Sequence, residues 1–159
     1  MVIFFPDGST PTGYTSLVSQ AFLLGLIVRK TQIFACEAVA VPQLIIQLQD
    51  VFAGRDVVWY IDNEAACSSL VRGASRQEDV GLLSGIAHLI MMLLHCRIWF
   101  EWVDSDSNPS DGLSRDGLCD EWTLRQGWDL YELPPLEWDA LHAVSDDTLR
   151  FLDLSLIHI

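Results

Sequence analysis

The segment from Ser105 to Arg115 reads SDSNPSDGLSR. It follows RIWFEWV, at residues 97–103, whose aromatic and β-branched residues favour a strand. Pro109 suits the first turn of a helix, and an acid such as Asp111 is stabilised there by the helix dipole. The stretch therefore predicts a loop and a helix start, with the carboxylate of Asp111 at the helix N-terminus shortly after a strand.

Two upstream segments supply further carboxylates. Apolar residues recur close to helical spacing between Gln32 and Phe52, and Glu37 falls on the same face. The apolar run DVVWYID predicts a buried strand of the parallel type that ends at Asp62. Carboxylates on a helix face, at a strand end and at a helix N-terminus can converge from different parts of the chain. Because magnesium prefers hard oxygen ligands, the three together suggest a divalent-metal site.

Each of these acids also has a simpler explanation. Either Asp62 or Asn63 can cap the predicted helix EAACSSLVRG, since both residue types are preferred caps. Asp111 can serve only to stabilise the helix dipole. Glu37 can lie at a boundary with its carboxylate reaching solvent, because burying an unpaired charge is prohibitive. No single acid is persuasive alone, and only their joint placement favours the metal site.

Composition limits the class of protein. A chain of 159 residues, half of them hydrophobic, is typical of one globular domain with a substantial core. The formal charge of -13, from 22 acidic and 9 basic residues, is opposite to the basic surface of a self-sufficient nucleic-acid binder. Any grip on a nucleic acid would therefore need metal ions or a neighbouring domain.

Cysteine spacing and hydropathy indicate the compartment. The four cysteines form no CxxC pair, which favours free thiols in a reducing environment. The apolar stretches AFLLGLIV and LIMMLL are shorter than the roughly 18 residues of a membrane span. The N-terminus lacks the basic region of a signal peptide. We therefore expect an intracellular domain, cytoplasmic or nuclear, with no membrane partner.

The remaining segments complete the predicted organisation. VIFF indicates a strand, PDGSTPTG a turn and AFLLGLIV a further, poorly defined strand. Pro42 predicts a kink near residues 38–42 of the helix that carries Glu37. A second, longer helix is predicted from Glu78 to His95. Residues 116–159 are predicted to form an extension that packs by its tryptophans, and its last residues, DLSLIHI, to be an artefact.

The segments QIFACEAVAVP, YIDNEAACSSLVRGAS and NPSDGLSR together resemble the RNase H-like domain of retrotransposon reverse transcriptases, over residues 1–115. The resemblance implies an α/β, three-layer RNase H-like fold with a mixed sheet flanked by helices. It also implies two Mg2+ ions, with Mn2+ as a substitute, and cleavage of the RNA strand of an RNA/DNA hybrid beside a reverse transcriptase domain. Glu37, Asp62 and Asp111 would be the second, third and fourth catalytic, metal-binding carboxylates.

The first carboxylate has two assignments. Asp7 is the only candidate upstream of Glu37, but Pro6 before it would deny a central strand one hydrogen bond. The string Pro6-Asp7-Gly8 is more natural as a turn, which predicts that VIFF is the second strand and that the first lies before Met1. A residue upstream of Met1 is then the alternative to Asp7.

Three functional hypotheses follow. The chain is either a two-metal nuclease domain or a catalytically inactive remnant that acts as a structural or interaction module. A small-ligand domain of the doubly wound kind is the third hypothesis, and it requires a Gly-rich phosphate loop after the first strand, which the sequence lacks.

Overall fold

The computed structural model describes residues 1–139 and residue 141, and it shows a mixed α/β protein with a small mixed sheet. The predicted α/β class is therefore confirmed. The segment DLSLIHI lies outside the described residues. Within the described ranges, no helix combines the length and the apolar character that crossing a membrane would require.

The strands and helices follow one another along the chain without a repeating order. The strands are β1 (Val2–Ile3), β2 (Thr12–Ser16), β3 (Asp56–Ile61), β4 (Arg97–Trp102) and β5 (Asp129–Leu133). The helices are α1 (Gln20–Gly25), α2 (Ile33–Gln47), α3 (Gln49–Phe52), α4 (Glu64–Arg72), α5 (Glu78–Leu93), α6 (Asp111–Asp116) and α7 (Glu121–Arg125). Short 3-10 turns cover Ser105–Ser107 and Gly117–Cys119.

The chain divides into two compact units. The first unit combines Met1–Val18 with Val103–Pro135, and the second combines Ser19–Trp102 with the described residues 136–139 and 141. The predicted division at residue 115, between a domain and an extension, stays a prediction.

The first unit is built on a three-stranded mixed sheet in the order β1-β2-β5. β1 pairs with β2 antiparallel, and β2 pairs with β5 parallel. Leu113 of α6 is fully buried in this unit, and its carbonyl oxygen accepts a bond of 3.4 Å from Thr15 Oγ1. A Cβ on Gly13 would lie 2.6 Å from Leu130 Cδ2 and 3.1 Å from Leu113 Cδ2, so this strand position has no room for a side chain.

The second unit packs helices α2, α4 and α5 with the parallel pair β3-β4. Side chains alternate across the two strands, as the pleat requires. Trp59 and Phe100 are buried with their rings 6.4 Å apart, and Phe52 stacks on Trp59 at 5.7 Å. Val58 and Trp99, which are paired in register, are exposed on the opposite face. The strands are therefore buried on one face only, unlike the fully buried strand that the apolar run predicted.

Two predicted elements are wrong in detail. AFLLGLIV was predicted as a strand, but residues 20–25 form α1, because Ser19 Oγ caps the helix by accepting a bond of 3.0 Å from Phe22 N. The strand lies instead in Thr12–Ser16, which begins at the end of the predicted turn segment, residues 6–13. The helix predicted over 32–52 is interrupted at Leu48, which separates α2 from α3. Pro42 stays within α2, and the kink near residues 38–42 stays a prediction.

One strand was not predicted. β5, with the sequence DLYEL, lies in the predicted extension and joins the first sheet beside β2. Tyr131 stacks on Tyr14 across this pair, with ring centroids 5.7 Å apart. Further on, Trp138 stacks on Phe22 at 4.4 Å and donates its indole N–H to the Phe22 carbonyl oxygen at 3.0 Å.

Candidate functional site

Asp62 lies directly after β3, where the chain turns into α4. The cap of α4 is Asn63, whose Oδ1 accepts a bond of 3.0 Å from the backbone N–H of Ala66. The backbone carbonyl of Asp62 accepts a bond of 3.2 Å from the indole N–H of Trp102. Asn63, and not Asp62, is therefore the N-cap of α4.

Asp62 lies where the parallel strands β3 and β4 end and α4 begins. β3 and β4 are parallel and in register, so Ile61 is paired with Trp102 and both strands end at the same edge. In open α/β sheets, ligands bind outside such carboxyl ends. The N-terminus of α4 begins two residues after Asp62, and its dipole favours negative charge there. The half-buried side chain of Asp62 thus lies beside the N-terminus of α4, where both parallel strands end.

Glu37 is half-buried on α2, the helix that packs against α4 and α5. Burial raises the pKa of the Cys36 thiol, and the neighbouring negative charge of Glu37 raises this pKa further. This position agrees with the predicted boundary between core and solvent.

Asp111 lies at the start of a helix, as SDSNPSDGLSR predicts, and is the first residue of α6. Pro109, which was expected in the first helical turn, lies two residues before the helix. The preceding turn is fixed by Asn108, whose Oδ1 accepts bonds from the Ser110 backbone N–H at 3.0 Å and from Ser110 Oγ at 2.8 Å. The carboxylate of Asp111 forms an ion pair of 3.0 Å with Arg115, one turn further along the helix. The segment SDSNPSDGLSR therefore contains both the acid and the basic residue that neutralises it, in the i,i+4 arrangement that stabilises helices.

The residue after Asp111 shows a constraint that the sequence did not reveal. A Cβ on Gly112 would lie 2.5 Å from the carboxyl carbon of Asp120. Asp120 in turn caps α7, because its Oδ2 accepts bonds from Thr123 Oγ1 at 2.5 Å and from Thr123 N at 2.7 Å. These bonds lower the pKa of Asp120, the side-chain bond contributing most. Asp120 was missed by the sequence reasoning, although the spacing of Asp120 and Thr123 is typical of a capping pattern.

Asp7 occupies the turn that was predicted for Pro6-Asp7-Gly8. Its carboxylate accepts a bond of 2.9 Å from the Ser9 backbone N–H, and Gly8 has a positive φ of 76°. Gly8 N donates to the Phe5 carbonyl oxygen at 3.2 Å, which closes the turn. The turn is confirmed, and the assignment of the first carboxylate stays a prediction.

The three predicted ligands fall in different units. Glu37 and Asp62 belong to the second unit, and Asp111 belongs to the first. Among residues 1–139 and 141, no three His, Cys, Asp or Glu side chains form a group that could hold a metal ion. Their carboxylate oxygens are the donors that Mg2+ or Mn2+ prefers, but Asp111 would have to exchange Arg115 for the metal. Convergence of the three carboxylates stays a prediction.

Comparison with known proteins leaves the family open. The chain matches no family model, no curated protein and no solved structure. The relation to RNase H-like domains therefore rests on the residues of the three motifs.

Removing the Asn63 cap provides a test of how this site is built. We expect Asn63→Ala to lower the free energy of unfolding by about 1 kcal/mol, because the Ala66 N–H loses its acceptor. Asp62→Asn is the matched control and should change stability by less than about 0.5 kcal/mol. Urea denaturation followed by circular dichroism measures both. Equal losses would mean that Asp62 also supports the helix start.

Proposed function

We propose that this chain is an RNase H-like domain descended from a retroelement polyprotein, with a three-layer fold. Its ancestral activity is two-metal hydrolysis of the RNA strand of an RNA/DNA hybrid. The observation that carries the proposal is Asp62 at the carboxyl end of β3, with the cap of the next helix supplied by Asn63 instead. An acid at this position supports the proposal because ligands bind outside the carboxyl ends of strands in open α/β sheets.

The chemistry requires ionised oxygen donors. Hydrolysis of a phosphodiester needs an activated water and neutralisation of the attacking and leaving oxygens, which two Mg2+ ions about 4 Å apart supply. Glu37, Asp62 and Asp111 would hold these ions. Acidic side chains repel phosphates, and the chain has a net charge of -13. The RNA/DNA hybrid would therefore be bound through the metal ions or by an adjacent reverse transcriptase domain.

A second candidate is a catalytically inactive remnant that serves as a structural or interaction module. The observation that favours it is the ion pair between Asp111 and Arg115. In a remnant, this pair has only the modest helix-stabilising role of an exposed i,i+4 contact. In an active domain, the same pair has to open before Asp111 can bind metal.

Cleavage of a labelled RNA/DNA hybrid in Mg2+ or Mn2+ distinguishes the two candidates. The active domain should release product, and Asp62→Asn should abolish it while leaving the circular dichroism spectrum unchanged. Asp56→Asn is the matched control, because Asp56 is an exposed acid at the opposite end of the same strand. Absence of product from the folded chain would remove the enzyme from consideration and favour the inactive module.

Metal binding gives a readout that does not depend on turnover. A ligand that binds only the folded state stabilises it by mass action, by about 2.7 kcal/mol at one hundred times its Kd. A functional site should therefore raise the melting temperature in Mg2+, and Asp62→Asn should remove the shift. No shift in the original chain would agree with the inactive module.

A further inference from the structure

Three aromatic rings form a continuous surface cluster in the first unit. Trp128 lies at its centre, with its ring centroid 5.6 Å from that of Phe4 and 5.5 Å from that of Trp122. Both contacts are edge-to-face, with interplanar angles of 85° and 81°. We call these three residues the aromatic trio. Phe4 remains 57% exposed and Trp122 50% exposed, so the outer rings are not covered by the fold.

Exposure of such a cluster needs an explanation. Single apolar residues on a surface are ordinary, but adjoining aromatic rings that keep half of their area in water indicate an interaction site. Edge-to-face contacts with Trp128 fix the positions of the outer rings. A fixed, exposed aromatic surface loses little conformational entropy when it binds a partner.

The charge of the same unit identifies the chemistry of that partner. Met1–Val18 and Val103–Pro135 together contain nine acidic and two basic side chains, a net charge of -7. Both basic side chains are already engaged, Arg115 with Asp111 and Arg125 with Glu121. The unit therefore has a strong excess of negative charge.

Exposed acids stand close in sequence to every ring of the trio. Asp7 lies three residues after Phe4, Glu121 directly precedes Trp122, and Asp129 directly follows Trp128. A nucleic acid would be repelled by this charge. A cationic segment would be attracted to it before contact and would find aromatic faces on arrival.

We propose that the aromatic trio is a docking surface for an arginine-rich polypeptide segment. The guanidinium group is planar and weakly hydrated, and it stacks on tryptophan faces more readily than an ammonium group does. The excess of carboxylates in the unit supplies the long-range attraction. This inference does not depend on the proposed hydrolytic activity.

The test is binding of a labelled peptide with three Arg-Gly-Gly repeats to the full chain, measured by fluorescence anisotropy. We expect Trp122→Ala to raise the Kd about tenfold, since aromatic anchors carry much of the binding energy of such surfaces. Trp122→Phe keeps an aromatic face and should restore most of the affinity. The matched control is Trp99→Ala in β4, which removes an exposed tryptophan of the second unit and should leave the Kd unchanged.

Salt and peptide composition separate the aromatic contribution from bulk charge. Affinity should fall as salt rises, and the corresponding lysine peptide should bind more weakly than the arginine peptide. The proposal is overturned if neither peptide binds, or if Trp122→Ala and Trp99→Ala weaken binding equally. Single-stranded RNA that binds the chain and competes with the peptide at Trp122 would also overturn it, in favour of a nucleic-acid surface.

Discussion

Replacing Asp79 with alanine should lower the free energy of unfolding by about 3–5 kcal/mol, which is the usual loss when one member of a buried ion pair is removed. The side chain of Asp79 is 6% exposed, and that of its partner Arg29 is 17% exposed. Arg29 Nη1 donates to Asp79 Oδ2 at 2.8 Å, and Arg29 Nη2 donates to Oδ1. Without the Asp79 carboxylate, the largely buried guanidinium of Arg29 would lose its charged partner.

The same carboxylate also accepts two backbone bonds. Ile27 N donates to Oδ2 at 2.9 Å and Val80 N donates to Oδ1 at 2.8 Å. Asp79 thus joins residues 27–29 to the first turn of α5, about fifty residues away along the chain. All of these bonds are lost in Asp79→Ala, which explains why the expected loss is larger than for a single surface pair.

The pH dependence of this contribution follows from the pKa of Asp79. Burial is the largest single influence and raises the pKa, but the bonds from Arg29, Ile27 and Val80 together outweigh it, so the pKa lies below its ordinary value of 3.8. A group whose pKa is lowered on folding stabilises the protein above the unfolded pKa. The difference between the original chain and Asp79→Ala should therefore be constant near neutral pH and shrink as the pH falls below 3.8.

An exposed ion pair provides the control for Asp79. Arg97 and Asp56 pair at 2.6 Å, but their side chains are 83% and 70% exposed. Asp56→Ala should cost far less than Asp79→Ala, because water screens the exposed pair. Urea denaturation at several pH values measures both variants. Similar losses from Asp56→Ala and Asp79→Ala would show that burial does not strengthen the Asp79 contacts.

Where local chemistry decides, the sequence predicts the structure well. The strand at Asp56–Ile61, the helices at Glu64–Arg72 and Glu78–Leu93 and the strand at Arg97–Trp102 agree with the predicted segments. Apolar runs, β-branched residues and an Asn cap encode these elements within a few residues. α1 was mistaken for a strand because its apolar run is too short to show helical period, and Ser19 decides the outcome.

Contacts between distant segments were not predictable in the same way. β5 is recognisable only through its pairing with β2, more than one hundred residues earlier. The pair of Arg29 and Asp79 likewise depends on tertiary packing. For the candidate site, Asp62 at a strand end and Asp111 at a helix start were predicted because each is a local feature. Their convergence with Glu37 is a tertiary property, which motif spacing does not encode.

Leu113→Ala should be the most damaging substitution within SDSNPSDGLSR, with an expected loss of about 2–5 kcal/mol. Leu113 is fully buried, and its Cδ2 lies against the position where Gly13 lacks a side chain. Truncation to alanine would remove its buried methyl groups and leave a cavity between α6 and β2. Leu118 is the matched control: it is partly exposed shortly after α6, so Leu118→Ala should cost clearly less.

Asp111→Asn distinguishes the role of the acid in SDSNPSDGLSR from the role of Leu113. Asp111→Asn loses only a partly exposed ion pair with Arg115 and should cost less than about 1 kcal/mol. Urea denaturation followed by circular dichroism measures the stability of both variants. A large loss from Leu113→Ala with a small one from Asp111→Asn would show that the leucine holds α6 in place while the acid is not needed for folding. A comparable loss from both would make Asp111 a structural residue and weaken its assignment as a metal ligand.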